Sequence, residues 1–268
     1  ALAAMLGTIG RPGLGFGFGH GSSGGMGSPR MRLPSVGMTA LANRTGSFIP
    51  VARIADMLEN PGGEYDFNGR RMAYPDIRMI CWAGGNPFHH HQDLNRFGRA
   101  WARAETIVVA EPWWTPAARN ADIVLPATTT LERNDIASSN RDRYVLAMKQ
   151  AVPKQGQARD DFAMLGDVAD ALGVRDRFAE QRDEGAWLRF LYDRWRGQCA
   201  KLGVEPPEFD EFWERGSYET PMPDGDFVPY AAFRADPAAN PLNTASGKIE
   251  VASPTIAGFG YDDCPGHA

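Results

Sequence analysis

Three short apolar runs, separated by amphipathic segments, constrain the fold of this chain more than any other feature. The runs are 77–83 (IRMICWA), 105–111 (ETIVVAE) and 122–127 (DIVLPA). Each is typical of a strand buried on both faces of a parallel sheet. The intervening segments 91–103 and 115–121 have helical apolar spacing. The order strand, helix, strand, helix, strand predicts an α/β fold, half of a Rossmann-like doubly wound, mostly parallel sheet with flanking helices.

The remaining sequence predicts further elements around this unit. Asn68-Gly69 is a signal for a tight hairpin turn. Segments 160–174 and 185–203 have helical patterns, and from about residue 216 the chain is proline-rich and irregular. We therefore divide the chain into four parts. These are a glycine-rich loop segment of a neighbouring domain (1–45), the α/β domain (46–175), a helical extension (176–215) and an irregular, extended segment (216–268).

The glycine-rich stretch 11–29 has two interpretations. Its composition is that of a flexible linker. Leu14, Phe16 and Phe18 alternate with the glycines, however, and a solvated linker has no need of them. They favour an ordered loop packed against a bulky neighbour.

Composition excludes several classes of protein. A formal net charge of -5 gives no basic surface for nucleic acid. Cys81, Cys199 and Cys264 are far apart and form no CxxC motif, so neither a zinc site nor a disulfide framework is expected. No apolar run approaches the roughly 20 residues that span a bilayer. Neither end looks like the natural end of a domain, and we expect an internal fragment of a larger, multidomain protein.

Three loops follow the predicted strands, where doubly wound sheets bind their ligands. They are 84–93 (GGNPFHHHQD), 111–116 (EPWWTP) and 126–135 (PATTTLERND). Gly84 and Gly85 would let a phosphate approach the backbone, the following helix would offer free N–H groups, and Asn86 adds an amide. Glu111 could accept hydrogen bonds from a ribose or a base. Pro112, Trp113 and Trp114 could stack on a purine or form a domain interface.

The three consecutive histidines are poorly arranged for a metal site. Neighbouring side chains point in different directions and cannot share one tetrahedral centre. Next to a diphosphate, either His90 or His91 could instead donate a hydrogen bond.

These motifs resemble the molybdopterin oxidoreductases of the dimethyl sulfoxide reductase family. The resemblance is carried by the segments 74–96, 111–136 and 148–162, and it extends over essentially the whole chain. Within the family they are similar to the branch of trimethylamine N-oxide, dimethyl sulfoxide and biotin sulfoxide reductases. The run of three histidines after GGNPF is specific to that branch.

The resemblance implies a protein of several domains around one molybdenum held by two molybdopterin guanine dinucleotides. It implies that this chain contacts one dinucleotide, and it marks eleven candidate residues for that contact. Gly84, Gly85, Asn86 and His90 would lie at the pterin and diphosphate, Glu111, Pro112 and Trp113 near the nucleotide, Asp160 or Asp161 at the guanine edge, and Arg141 or Arg143 at anionic groups.

The resemblance also implies the chemistry, which is oxygen-atom transfer from an S-oxide or N-oxide, with electrons from a donor protein or small reductant. The serine that binds molybdenum in this branch has no match here, so no catalytic residue or metal ligand is assigned. Without the other N- and C-terminal domains, we expect the isolated chain to be inactive. The segment 137–150 is nearer to the biotin sulfoxide reductases, which favours the cytoplasm.

Two alternatives stay open. An NAD-dependent dehydrogenase could use the same α/β unit, although its turn would read GxGxxG rather than GGNPF. A non-enzymatic module could bind a protein partner through Trp113 and Trp114.

Overall fold

The protein is described by a computed structural model that covers residues 2–16, 33–39, 41–139, 143–222 and 227–260. Its helices are α1 (Leu2–Met5), α2 (Ile54–Glu59), α3 (Leu94–Trp101), α4 (Pro116–Arg119), α5 (Asp161–Ala171), α6 (Arg175–Ala179), α7 (Glu184–Ala200), α8 (Phe209–Arg215), α9 (Ala231–Ala235) and α10 (Pro254–Ala257). Its strands are β1 (Glu64–Phe67), β2 (Arg70–Ala73), β3 (Met79–Ala83), β4 (Thr106–Glu111), β5 (Ile123–Pro126), β6 (Asp135–Ala137), β7 (Tyr144–Met148) and β8 (Ser217–Glu219). Single 3-10 turns lie at Val51–Arg53 and Pro87–His89. In these ranges no helix has the length and apolar character that crossing a bilayer requires.

The central sheet is parallel, in the order β3-β4-β5. Helix α3 connects β3 to β4, and α4 connects β4 to β5. The predicted order of strands and helices is therefore confirmed, and so is the α/β fold class. Ala83 lies opposite Ala110, and Glu111 lies opposite Pro126, so the strands end together at one edge of the sheet.

One face of this sheet is covered by its connecting helices. The buried cluster comprises Phe97 and Trp101 of α3, Ala117 of α4, and Ile107 and Val109 of β4. The Phe97 and Trp101 rings lie 5.5 Å apart, and the Trp101 indole N–H donates to the carbonyl of Asn120 at 2.9 Å. This bond satisfies the one polar atom of an otherwise buried side chain.

The other face is not covered by the described residues, so the expectation of strands buried on both faces is wrong for this structure. Met79, Cys81 and Ala83 of β3 are exposed, and Met79 retains 55% of its accessible surface. The physical reason is that both connecting helices pack on the same side of the sheet.

A hairpin packs beside the sheet, with its turn as predicted. β1 and β2 pair antiparallel around Asn68 and Gly69, whose φ angles are 49° and 73°. Two successive left-handed residues are what the tight hairpin turn requires. Tyr65 of β1 stacks on Tyr74 with ring centroids 4.4 Å apart.

A second unit combines the antiparallel sheet β6-β7-β8 with helices α7 and α8. Its core contains residues 33, 145, 188, 192, 195, 199, 204, 209 and 212. Helix α7 contributes Leu188, Tyr192, Trp195 and Cys199 to this core, whereas its Trp187, Phe190 and Leu191 are only half-buried. Strand β8 lies beyond the predicted boundary at 216 and pairs with β7. The four-part division of the chain stays a prediction.

Much of the glycine-rich stretch, including Phe18, lies outside the described residues. Leu14 and Phe16 are described, and their exposed fractions are 60% and 66%. Neither packs into a core of this chain.

Candidate functional site

The three predicted loops meet at the carboxyl edge of the parallel sheet. Gly84 follows β3, Glu111 ends β4, and Ala127 follows β5. Neighbouring strands lie about 4.8 Å apart, so the loops form one surface. A backbone bridge between Ala127 and Arg159 brings the start of α5 to the same edge.

The first loop presents open backbone. Gly84 and Gly85 have φ angles of 75° and 71°, which favour glycine. A Cβ at either position would meet no atom within 4 Å, so both glycines border open space. The Trp82 indole N–H donates to the Gly85 carbonyl at 3.0 Å and holds the loop against the sheet.

Two buried nitrogens in this loop lack a hydrogen-bond partner. They are Asn86 Nδ2 and His91 Nε2, and no other buried side-chain nitrogen or oxygen in the described ranges is unpaired. Asn86 uses its oxygen to accept the Phe88 backbone N–H at 3.2 Å, which leaves its amide nitrogen unbonded. An unpaired buried polar group is costly and implies a partner that the chain does not supply. The loop therefore fits a polar ligand next to its two glycines.

The structure distinguishes the histidines. His91 is buried, with its ring stacked on Phe97 at 4.6 Å and edge-on to Trp82 at 6.3 Å. His90, the histidine assigned to the cofactor on the family resemblance, is exposed. Burial lowers the pKa of His91, and the neighbouring His90 lowers it further, so the buried ring is neutral at pH 7. Its unpaired nitrogen can accept or donate a hydrogen bond according to the tautomer.

The following helix has one of its first N–H groups already capped, so it offers fewer free N–H groups to a phosphate than expected. α3 begins only at Leu94, and the carboxylate of Asp93 already caps it by accepting the Arg96 N–H at 3.1 Å. A negative charge at that terminus would repel a diphosphate. The residues nearest the glycines form the short Pro87–His89 turn instead.

The second loop is organised by Glu111. Its carboxylate accepts the Trp113 backbone N–H and the Thr115 hydroxyl, each at 3.3 Å. Each carboxylate oxygen of Glu111 can still accept another hydrogen bond. Pro112 is exposed, and Trp113 and Trp114 expose 67% and 69% of their surface at the sheet edge. Such large exposed aromatic rings suit stacking on a ligand or a neighbouring surface.

The third loop is held by carboxylates whose role the sequence did not reveal. Buried Glu132 accepts the Thr129 N–H at 2.7 Å, the Thr129 hydroxyl at 2.8 Å and the Gln155 N–H at 2.7 Å. Hydrogen bonds from Thr129 lower the pKa of Glu132 and keep it ionised. Buried Asp160 accepts the Thr128 hydroxyl at 2.8 Å and the Lys154 ammonium. The contacts from Thr128 to Asp160 and from Gln155 to Glu132 join distant segments of the chain, so no local sequence pattern signals them.

The two candidate aspartates differ in their environment. Burial of Asp160 opposes its ionisation, but hydrogen bonds from Lys154 and Thr128 outweigh this and lower its pKa. Glu184 interacts with Asp160. Burial raises the pKa of Glu184, and the negative charge of Asp160 raises it further. Asp161 is exposed at the first position of α5. Asp160, Asp161 and Phe162 all line a cavity of about 350 Å³.

Of the two candidate arginines, only Arg143 is described, and it is separate from these loops. Arg141 lies outside the described residues. Arg143 begins the strand β7 region, where it pairs with Glu219 at 3.2 Å and donates to the Tyr144 hydroxyl at 2.8 Å. Both partners belong to the antiparallel sheet. Among the described residues, no group of three or more His, Cys, Asp or Glu side chains is placed to hold a metal ion.

Replacing Asp160 with asparagine should lower the free energy of unfolding by about 1–2 kcal/mol at neutral pH. The Lys154 side chain is 40% exposed, so solvent weakens the lost ion pair. Since the folded-state pKa of Asp160 is lowered, its stabilisation is complete above the unfolded-state pKa of about 3.9 and is lost as pH falls through the folded-state value. Urea unfolding at neutral pH and at about pH 3 should therefore show a difference that shrinks in acid. Asp161→Asn is the control, and an equal loss in both variants would contradict this role.

Comparisons with known proteins agree with the motifs at the sheet edge. Residues 1–171 match the family described as molybdopterin oxidoreductase. Biotin sulfoxide reductase of Cereibacter sphaeroides is 50% identical over 99% of this chain and 36% of its own length. Dimethyl sulfoxide/trimethylamine N-oxide reductase of Rhodobacter capsulatus is 49% identical over 99% and 34%. Trimethylamine-N-oxide reductase of Haemophilus influenzae is 41% identical over 99% and 34%.

The chain thus spans about a third of the length of the curated relatives it matches. The family match covers more than half of the chain and includes all three strand-end loops. The loop of Gly84 to His91, with its open glycines and unpaired nitrogens, lies within it. This chain belongs to the molybdopterin oxidoreductases, a family whose name implies a molybdopterin cofactor.

Proposed function

We propose that the chain is the part of a molybdenum-dependent S-oxide or N-oxide reductase that binds one molybdopterin guanine dinucleotide. The main observation in support is that Asn86 Nδ2 and His91 Nε2, in the loop of Gly84 and Gly85, are buried without a hydrogen-bond partner. Relatives named as sulfoxide and N-oxide reductases, at up to 50% identity, support the class of reaction. The bound cofactor would supply two-electron oxygen-atom chemistry at molybdenum.

The residues of the first two loops would bind and orient the dinucleotide. Open backbone at Gly84 and Gly85 allows a bulky anionic group to approach closely. Asn86 Nδ2 would donate a hydrogen bond to it. His91 Nε2 would form the hydrogen bond that it lacks within the chain, and the neutral ring would add no charge. Glu111 would accept ribose hydroxyls through its remaining lone pairs, and Trp113 would cover the nucleotide and exclude water.

Between the two aspartates, Asp161 is the better candidate to read the guanine edge. Both aspartates line the same cavity, but Asp160 already accepts hydrogen bonds from Thr128 and Lys154, whereas Asp161 is exposed. Guanine presents adjacent N–H donors that a carboxylate can accept together. Asp160 would then support Asp161 by fixing the start of α5.

Replacing Asp161 with asparagine should reduce retention of guanine nucleotide by on the order of tenfold to a hundredfold, because the amide replaces one acceptor with a donor. The measurement is guanine released per chain from the polypeptide encoded by the complete reading frame. Asp170→Asn, an exposed position on the same helix, is the matched control. Equal retention in both variants would remove Asp161 from the nucleotide site.

Metal and pterin analysis tests the proposal as a whole. The polypeptide from the complete reading frame, produced in a molybdenum-replete host, should contain molybdenum and a bis(molybdopterin guanine dinucleotide). Released nicotinamide would instead support a dehydrogenase, and a polypeptide without either cofactor would overturn the proposal. The capped terminus of α3 already argues against the dehydrogenase, because that fold places its pyrophosphate at a helix N-terminus.

The substrate class follows from the same relatives. Identities of 50% and 49% to a biotin sulfoxide and a dimethyl sulfoxide reductase support the shared chemistry, an S-oxide or N-oxide oxygen. The electron donor would be a protein or small reductant. We further propose a cytoplasmic location, from the likeness of segment 137–150 to the biotin sulfoxide reductases, and cell fractionation tests it.

A further inference from the structure

The cavity of about 350 Å³ is bordered by helices α5, α6 and α7, and its wall is mostly apolar. Each helix contributes one aromatic ring, and these rings belong to Phe162, Phe178 and Trp187. Phe162 and Phe178 stack with ring centroids 5.4 Å apart, and the Trp187 indole N–H donates to the Ala179 carbonyl at 3.1 Å. Packing and this hydrogen bond therefore fix the three rings in place.

Two of these rings already have positive charge nearby. The guanidinium of Arg175 lies 5.9 Å from the centre of the Phe162 ring, and that of Arg182 lies 4.8 Å from the Trp187 ring. Both distances are within the range of cation–π attraction. Neither arginine is part of the cavity wall. The chain thus itself places cations against the aromatic rings of this region.

The polar part of the cavity wall is mainly acidic. Its charged side chains are Arg133, Asp135, Asp160, Asp161 and Glu184. Arg133 pairs with Asp135 at 3.2 Å, and the Lys154 ammonium pairs with Asp160. Within the described ranges, Asp161 and Glu184 form no ion pair with a lysine, arginine or histidine. The wall therefore carries more negative than positive charge.

This combination of groups favours an organic cation. The carboxylates would repel an anion, and a neutral apolar ligand would take water from the half-buried Glu184 without replacing its hydrogen bonds. A divalent metal ion needs a shell of oxygen ligands, and the described carboxylates are not grouped to provide one. An alkylammonium ion places its alkyl groups against aromatic rings while its charge is attracted by the rings and by nearby carboxylates.

We propose that this cavity binds a small alkylammonium cation. Phe162, Phe178 and Trp187 contact its alkyl groups, and the Glu184 carboxylate opposes its charge. The volume of about 350 Å³ lies within the range of ordinary small-molecule sites, roughly 300–1,000 Å³. The proposal rests on Glu184 and the three rings rather than on Asp161, so it does not depend on the proposed function.

Calorimetric titration with tetramethylammonium chloride tests this site. The protein is the polypeptide encoded by the complete reading frame, and we expect saturable binding of a single cation per chain. An uncharged molecule of similar shape, tert-butanol, should bind at least about tenfold more weakly, because it lacks the charge. Sodium chloride at the same concentration is the control for ionic strength.

Two variants locate the binding in the cavity. Glu184→Gln should weaken tetramethylammonium binding at least about tenfold, because it removes the charge and keeps the shape. Glu205→Gln, at an exposed position outside the cavity wall, is its matched control and should leave the affinity unchanged. Trp187→Leu should weaken binding about fivefold. Its control is Phe190→Leu, on the same helix but outside the wall.

The other results would overturn the proposal. Absence of binding, or equal affinity for tetramethylammonium and tert-butanol, would show that the cavity is not a cation site. Unchanged affinity in Glu184→Gln and Trp187→Leu would place the binding elsewhere. Binding to the polypeptide freed of cofactor, but not to the loaded one, would assign the cavity to the nucleotide. Tetramethylammonium should bind even where cofactor analysis finds neither molybdenum nor pterin, so this proposal and the proposed function fail separately.

Discussion

Replacing Gly85 with valine should abolish retention of the cofactor by the polypeptide that contains this chain. The backbone of Gly85 has a φ of 71°, and its Cβ direction points into open space at the carboxyl edge of the sheet. A branched side chain would occupy the space through which the proposed dinucleotide approaches. It would also strain a left-handed backbone by roughly 1–2 kcal/mol. We expect the molybdenum and pterin content to fall to background while the chain remains folded.

The Gly203→Val variant separates steric exclusion of the cofactor from the strain of the left-handed backbone. Gly203 has a φ of 76° and an equally open Cβ direction, but it lies after α7, in the second unit. The two variants should lose similar thermal stability, and only Gly85→Val should lose cofactor. Full molybdenum and pterin content in Gly85→Val would remove the first loop from the proposed site. Equal cofactor loss in both would assign the loss to destabilisation.

Replacing Trp101 with alanine should cost about 3–5 kcal/mol of unfolding free energy, the largest stability effect that we expect. Its side chain is only 1% exposed and contacts the rings of Trp82, Phe88 and Phe97 at centroid distances of 5.5–5.7 Å. The substitution leaves a cavity between α3 and the sheet and an unpaired Asn120 carbonyl. Urea or thermal unfolding followed by circular dichroism measures the loss.

Trp113→Ala is the matched control, because it removes the same side chain from a position that is 67% exposed. We expect its unfolding free energy to change by no more than about 0.5 kcal/mol. Under the proposed function, it should nevertheless weaken nucleotide retention. A similar stability loss in both tryptophan variants would contradict the packing described for α3.

The order of elements was predictable because it rests on local periodicity. The strands around 79–83 and 106–111, and the turn at Asn68-Gly69, all lie where apolar runs and turn residues indicate them. The strand-end loops were predictable for a related reason. Parallel strands joined by helices end at one edge, so the residues that follow each strand converge.

Contacts between distant segments were not predictable in this way. The sequence contains adjacent histidines and adjacent aspartates. Their spacing does not show which member of each pair is buried and which is exposed. Packing decides that His91 is buried against Phe97 while His90 is exposed. Thr128, which is distant in sequence, and the nearby Lys154 both donate hydrogen bonds to Asp160, whereas Asp161 is exposed.

The sequence by itself thus determined the α/β unit, the convergence of three loops at one edge of its sheet, and the family, since these depend on local pattern and on motifs that can be read along the chain. Only the tertiary structure decided which histidine is buried, that Asp93 closes the N-terminus of α3, and that one face of the sheet is open. An apolar residue has the same sequence signature whether its cover lies within the chain or outside it. Burial and hydrogen-bond partners depend on which surfaces meet in space, and the three-dimensional packing alone specifies that.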